Sequence, residues 1–141
     1  MIRRFTTMTA LLLLGGVLAW TARAEAPSAA REAAYRENNL GVALLEQYNH
    51  KEAAEAFRRA LEADPDSALA QVNYAIALFY VPDLPAAKKA TTEALEKQPD
   101  SLHLRYILTL VARLEDQPDV AEKHLRAILA VDPGDFGANL V

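Results

Sequence analysis

The sequence predicts an all-α fold, a solenoid of stacked helix pairs, and three observations lead to it. Proline recurs every 34 residues, at Pro65, Pro99 and Pro133. Between these prolines the apolar residues follow the spacing of helices and not that of strands. Alanine and leucine keep the same 34-residue period, at Ala53, Ala87 and Ala121 and at Leu61, Leu95 and Leu129. Several residue classes that share one period without an insertion indicate a structural repeat.

Each repeat is predicted to contain two helices. In the first repeat, apolar residues recur at helical spacing in two series, 35–48 and 53–61. The segment Asp64-Pro65-Asp66-Ser67 separates this repeat from the next. Proline lacks a backbone N–H and clashes with the preceding turn, so it ends the second helix. Asp66 or Ser67 is expected to cap the following helix by accepting hydrogen bonds from its free N–H groups.

The N-terminal segment, residues 1–24, has the three parts of a secretory signal peptide. A basic start (residues 1–4) precedes an uncharged stretch from Phe5 to Trp20, and Ala22-Arg23-Ala24 has the small-x-small pattern of a cleavage site. The uncharged stretch has about 16 residues and contains threonines, whereas a membrane span needs about 20 mostly apolar residues. We therefore expect cleavage after Ala24, rather than an uncleaved anchor, and a mature protein that is periplasmic or secreted.

The composition excludes several functional classes. The chain has 141 residues, which is one domain by length, and no cysteine, which excludes disulfides and thiolate sites. Without the three arginines of residues 1–24, 12 basic residues stand against 19 acidic ones, a net charge of −7. An acidic body without a basic stripe argues against binding to nucleic acid or to an anionic membrane. We expect neither as a partner once the signal peptide has been removed.

The period and the residues that keep it resemble the tetratricopeptide repeat (TPR). The first repeat carries this resemblance best, with Asn39-Leu40-Gly41, Leu44, Ala53, Phe57, Ala60 and Pro65. The second repeat departs from the pattern at Thr91, where an aromatic residue is usual. The family's tryptophan is replaced by Glu37, Gln71 and Arg105. The resemblance implies a right-handed α-solenoid of antiparallel helix pairs, of a bacterial exported type, with Gly41 packed against Ala53.

The expected organisation has five parts after the signal peptide. A short linker or helical lead-in comes first, then three repeats of 34 residues, and then the start of an incomplete fourth. In order, these parts are residues 25–33, 34–67, 68–101, 102–135 and 136–141.

In this family the first helix of each repeat lines the concave face, and the resemblance places a partner-binding groove there. The set is mainly apolar and aromatic, which suits a peptide or a helix lying in the groove. The predicted groove residues are Tyr35, Asn38, Val42, Leu45, Leu69, Val72, Ile76, Phe79, His103, Tyr106, Leu110 and Arg113. The alternative is that some of these side chains are core residues; Val42, Ile76 and Leu110 occupy equivalent positions and could pack on one another.

No catalytic residue, cofactor or metal site is expected. The three histidines do not stand at i, i+3 or i, i+4 spacing, and the five glycines form no phosphate-binding loop. One subclass of the family binds acidic chaperone tails through cationic and amide side chains at fixed groove positions. Those positions here hold Asn38, Val42, Val72, Ile76, Tyr106 and Leu110, so that function is not expected.

Three hypotheses follow from these observations. The first is a non-catalytic scaffold that binds a protein or peptide partner on its concave face. The second is that the chain is the N-terminal repeat segment of a larger exported protein, which could be an enzyme. The third is self-association through an uncapped C-terminal end, with Leu125, Ile128, Leu129 and residues 136–141 as the contact.

Overall fold

The computed structural model describes residues 28–139, and these form six long helices and one short one. The helices are α1 (Ala29–Glu46), α2 (His50–Ala63), α3 (Ala68–Tyr80), α4 (Leu84–Lys97), α5 (Leu102–Leu114), α6 (Pro118–Val131) and α7 (Phe136–Asn139). The predicted signal peptide lies outside the described residues, as do residues 25–27 and 140–141. Helix α1 begins at Ala29, within the segment for which a linker or helical lead-in is expected.

The helices form three successive pairs, α1–α2, α3–α4 and α5–α6, and α7 packs against α6. The second helix of one pair also packs against the first helix of the next, which builds a continuous stack. Residues 28–139 contain no strand. The predicted all-α solenoid is therefore confirmed. Among these residues, no helix is long and apolar enough to cross a membrane.

Side-chain caps begin the helices with the same period as the sequence repeat. Ser67, Ser101 and Asp135 each accept a hydrogen bond from the backbone N–H three residues later, at 3.4, 3.4 and 2.6 Å. Such a cap satisfies an N–H group that has no partner within the helix. Of the two expected caps, Asp66 and Ser67, the structure uses Ser67.

A second periodic contact joins each repeat to the one before it. The side-chain nitrogens of Gln71, Arg105 and Asn139 donate to the carbonyl oxygen of the proline six residues earlier, at 2.8, 2.7 and 3.2 Å. These residues stand at or in register with the position where the family has tryptophan. A polar side chain here therefore stabilises the turn that separates two repeats.

The crossing of the first helix pair is centred on Gly41 and Phe57. A Cβ atom added to Gly41 would lie 2.5 Å from Cε1 of Phe57, and its three nearest atoms all belong to that ring. The expected neighbour, Ala53, is buried in the same core cluster as Phe57, but the atoms nearest to such a Cβ belong to the aromatic ring. One repeat later the equivalent positions hold Ala75 and Thr91, both fully buried. A smaller side chain on the second helix thus accompanies a larger one on the first.

His124 on α6 lies in the third helix pair with its ring nitrogen Nδ1 buried. This atom has no hydrogen-bond partner within residues 28–139. Burial lowers the pKa of His124 below its ordinary value, and the positive charges of Arg105 and Lys123 lower the pKa further. The folded protein therefore holds this imidazole in its neutral form more strongly than the unfolded chain does.

We expect His124 to make the folded state less stable in mild acid. Because its folded pKa is depressed, the unfolded chain takes up the proton first, and stability falls as the pH drops below about 6.5, the value expected for an unfolded chain. Urea denaturation at pH 7.5 and pH 5.0 measures this, with His124→Gln as the reference. The fall in midpoint should be larger in the original protein than in the variant. Equal falls would show that another group is responsible.

Candidate partner-binding groove

The first helices of the three pairs, α1, α3 and α5, lie side by side. Helix α3 is in the middle and packs against both of the others. All twelve predicted groove residues lie on these three helices. Some of them line one of two surface clefts, others pack between helices, and the rest lie on the exposed surface.

The larger cleft has a volume of about 470 Å3 and lies between α3, α5 and the start of α7. Five of the predicted groove residues line it: Ile76, Phe79, His103, Tyr106 and Leu110. The other residues of its wall are Tyr80, Leu102, Ile107, Ile128, Asp135 and Gly137. Most of these side chains are apolar or aromatic, a composition typical of ligand-binding pockets.

A smaller cleft, of about 290 Å3, lies between the N-terminal parts of α1 and α3. Tyr35 and Leu69 of the predicted groove line it, together with Arg31 and Asp64. Both Tyr35 and Leu69 are more than half exposed. The first helices therefore carry a second set of accessible apolar side chains, one repeat away from the larger cleft.

Asn38 lies within the packing between helices. Its side chain is buried, and its Oδ1 accepts a hydrogen bond of 2.9 Å from Nδ2 of Asn73. This bond joins α1 to α3. Asn39, which stands in register with Asn73 in the sequence, is exposed. The amide of Asn38 therefore already has a partner within the chain.

Replacing Asn38 with alanine should lower the free energy of unfolding by about 1–2 kcal/mol, because Asn73 would lose its hydrogen-bond acceptor. Urea denaturation measures the change. Asn39→Ala, on the same helix but at an exposed position, is the matched control and should change stability by less than about 0.5 kcal/mol. An equal effect of the two substitutions would assign the loss to helix propensity instead of the hydrogen bond.

The remaining predicted residues differ in their exposure. Val42 and Arg113 are exposed, whereas Leu45 and Val72 are partly buried against the core clusters of the first and second pairs. The predicted set thus contains both accessible and packing residues. Part of the set packs between helices, as the alternative interpretation expects, and partner binding by the accessible members stays a prediction.

Known proteins share both the repeat and the fold. The tetratricopeptide-repeat family model matches residues 34–67, the first of the three predicted units. The Arabidopsis OM64 TPR domain has a TM-score of 0.75 and 16% identity, and the match covers 79% of this chain and 92% of that one. The first TPR domain of human RPAP3 has a TM-score of 0.73 and 18% identity, with 78% and 87% covered. Residues 34–67 therefore match the tetratricopeptide repeat, and the described residues have the fold of TPR domains.

A further solved TPR structure was determined with a peptide. It is the first TPR of Spaghetti (RPAP3) bound to the HSP90 peptide SRMEEVD, with a TM-score of 0.74, 18% identity and coverage of 78% and 87%. At this level of identity the likeness is one of fold. No curated protein matches the chain in sequence.

Two residues of the larger cleft that are not among the predicted groove residues lie at the end of the third repeat and just beyond it. Asp135 and Gly137 belong to the turn before α7 and to α7 itself, and both line the larger cleft. A Cβ atom at Gly137 would lie 3.2 Å from the ring of Tyr106. The 34-residue period could have indicated Gly137, because it is in register with Leu69 and His103.

An aromatic row extends from the larger cleft to the turn between α1 and α2. The ring of Tyr80 is stacked on that of His50, with centroids 5.0 Å apart. Tyr48 and Phe79 meet the two ends of this stack edge to face, at 6.2 and 5.6 Å. His50, the first residue of α2, therefore takes part in a contact between the first two TPR units.

The C-terminal end of the TPR stack differs from the expected contact surface. Leu125 and Ile128 are only 9% and 1% exposed, because α7 packs over them through Ala138. Leu129 is partly buried beside them. Leu125 and Ile128 are therefore not exposed, and self-association through this end stays a prediction.

Proposed function

We propose that this TPR protein is a non-catalytic interaction module that binds a peptide or helix of a partner protein in the larger cleft. The observation that carries the proposal is the composition of this cleft: an apolar surface on the first helices with aromatic side chains at its opening. Tyr80 and Tyr106 are 57% and 37% exposed, although both line the cleft. Aromatic side chains of this kind are the usual anchors of protein interfaces.

The cleft differs from one that would hold an acidic peptide. The fixed positions at which the family's acidic-tail binders carry their clamp include Val72, Ile76, Tyr106 and Leu110 here, none of which is a cation. Recognition would therefore rest on apolar burial, at about 25 cal/mol for each Å² removed from water. The peptide-bound first TPR of Spaghetti (RPAP3) supports peptide binding as a use of the fold, and the absence of cations at these positions indicates a different ligand.

Site-specific crosslinking tests the proposed binding surface in living cells. A photoreactive phenylalanine analogue at Tyr106 is compared with the same analogue at Val131, an exposed position on α6 outside the cleft. We expect a crosslinked partner from position 106 only, and its yield should fall about tenfold or more when Tyr80 is changed to alanine. Equal crosslinking from both positions, or none from either, would contradict the proposal.

We further propose that the protein acts outside the cytoplasm, in the periplasm or as a secreted protein. The support is the pattern of residues 1–24, with a basic start, an uncharged stretch and a small-x-small site. Expression of the full chain in a bacterial host, followed by fractionation and N-terminal sequencing, tests this. We expect the protein in the envelope or the medium, with Glu25 as its first residue. A cytoplasmic protein that begins at Met1 would contradict the proposal.

A further inference from the structure

The charges around the larger cleft indicate what kind of partner it binds. Helix α3, at the centre of the binding surface, has 13 residues and no charged side chain. In the cleft wall, Asp135 is the one carboxylate, and no lysine or arginine lines the cleft. The interior of the surface is thus apolar, with an anionic group at one end.

The turns that border this surface are acidic. The turns between repeats carry Asp64, Asp66, Asp100, Asp132 and Asp135. They lie along one edge, since Lys97 reaches back to Asp66 at 3.4 Å and Gln98 reaches Gln71 at 2.8 Å. Among residues 28–139, Asp66 is the member of this set that takes part in an ion pair. This edge therefore carries a net negative charge.

The turns within the pairs make the opposite edge acidic as well. They carry Asp83, Glu115 and Asp116, and Glu46 ends α1 beside the first of them. Of these acidic residues Glu115 is paired, with Lys88 at 2.6 Å. Contacts between neighbouring turns, such as the stacking of His50 on Tyr80, place them along one side of the stack. An apolar floor between two acidic edges attracts a ligand of the opposite pattern, with an apolar face and basic flanks.

We propose that the partner segment is a basic amphipathic helix whose apolar face enters the larger cleft and whose lysine or arginine side chains meet the acidic edges. This inference rests on the proposed function and adds the chemistry of the ligand. Asp135 would accept a hydrogen bond from one such cation. One of its oxygens accepts from the N–H of Ala138 at 2.6 Å, and a carboxylate can accept several hydrogen bonds. The three first helices, about 9 Å apart, would be crossed by a helix of about 18 residues, or about 27 Å.

Synthetic peptides of about 18 residues test the sign of the ligand's charge. The first carries leucine on one face and lysine on the other, the second has glutamate in place of lysine, and the third has the composition of the first in scrambled order. Binding to the mature protein is measured by fluorescence anisotropy at low and high salt. We expect the leucine–lysine peptide to bind at least about tenfold more tightly than either of the others, and high salt to weaken it.

Two substitutions locate the contact. Asp135→Asn keeps a helix-capping side chain and removes the charge. It should lower the affinity for the leucine–lysine peptide about three- to tenfold. Glu96→Gln removes one negative charge from an exposed position on α4 outside the cleft, and should leave binding within about twofold. Tyr80→Ala should weaken binding about tenfold or more by removing an apolar anchor.

Each other outcome overturns a defined part of the argument. If the leucine–glutamate peptide binds as tightly or more tightly, the basic partner is wrong and the groove remains a binding site. If the scrambled peptide binds equally well, the attraction is charge alone and the amphipathic helix is wrong. If none of the peptides binds the folded protein and no crosslink forms at position 106, the proposed function itself fails.

Discussion

Phe57→Ala is expected to lower the free energy of unfolding by about 3–5 kcal/mol, the usual cost of removing a buried phenylalanine side chain. Phe57 is the largest of the fully buried side chains, and its ring fills the crossing of α1 and α2. The loss is a large share of the about 5–15 kcal/mol that stabilises a typical domain. Urea denaturation followed by circular dichroism measures it, and we expect much of the chain to be unfolded at 37 °C.

The matched control for this change is Tyr48→Ala, which removes an aromatic ring of similar size from a position that is 83% exposed. It should change stability by less than about 0.5 kcal/mol. A small effect of Phe57→Ala would mean that the helix crossing closes around the missing ring. That outcome would contradict the tight packing that the structure shows at Gly41.

Gly41→Val should destabilise the same crossing from the opposite side, by about 3 kcal/mol. Its Cβ atom alone would overlap the Phe57 ring at 2.5–2.7 Å, and the ring is fully buried and has no room to move. Overpacking of a core typically costs about 1–3 kcal/mol, and valine adds two methyl groups beyond Cβ. The gain in helix propensity from replacing glycine is only a few tenths of a kcal/mol, so it does not offset the clash.

A double-mutant cycle distinguishes this clash from a general weakening of α1. In the cycle, Gly41→Ala is made alone, Phe57→Leu is made alone, and the two are combined. The double substitution should lower the free energy of unfolding by at least about 0.5 kcal/mol less than the sum of the single substitutions. The reason is that a shorter side chain at position 57 leaves space for the added methyl group. Strict additivity would show that the two residues do not share one contact.

The sequence predicts this fold well because each local signal has a direct physical cause. Proline at positions 65, 99 and 133 ends a helix whatever surrounds it, and serine at 67 and 101 caps the next helix through its side-chain hydroxyl, which accepts a hydrogen bond from a backbone N–H. Gly41 is likewise informative, since a helix that tolerates glycine usually needs its lack of a side chain. Only the identity of its neighbour, Phe57 in place of Ala53, required the three-dimensional arrangement.

The groove was less predictable, because exposure depends on contacts between repeats. Asn38 and Val42 lie on the same helix one turn apart, yet only Val42 is exposed. Asn38 is buried and accepts a hydrogen bond from Asn73 of the next repeat. Ile128 is covered by a helix that has only four described residues, α7. A periodic pattern gives the face on which a side chain lies, but it does not give the depth at which the neighbouring repeat covers it.

The helix crossing within a repeat and the hydrogen bond between repeats have different consequences for the evolution of such an array. The crossing that joins positions 41 and 57 lies inside one repeat, where glycine accompanies phenylalanine, and the second repeat has alanine and threonine in register. The bond to the proline carbonyl lies between repeats, and glutamine, arginine and asparagine all make it. The sizes of the two side chains at the crossing are therefore matched within a unit. The junction between units requires only a side-chain donor long enough to reach the proline carbonyl. Whole units can be duplicated or deleted at such a junction without disturbing a core, while a single exchange inside a unit calls for a second one in the same unit.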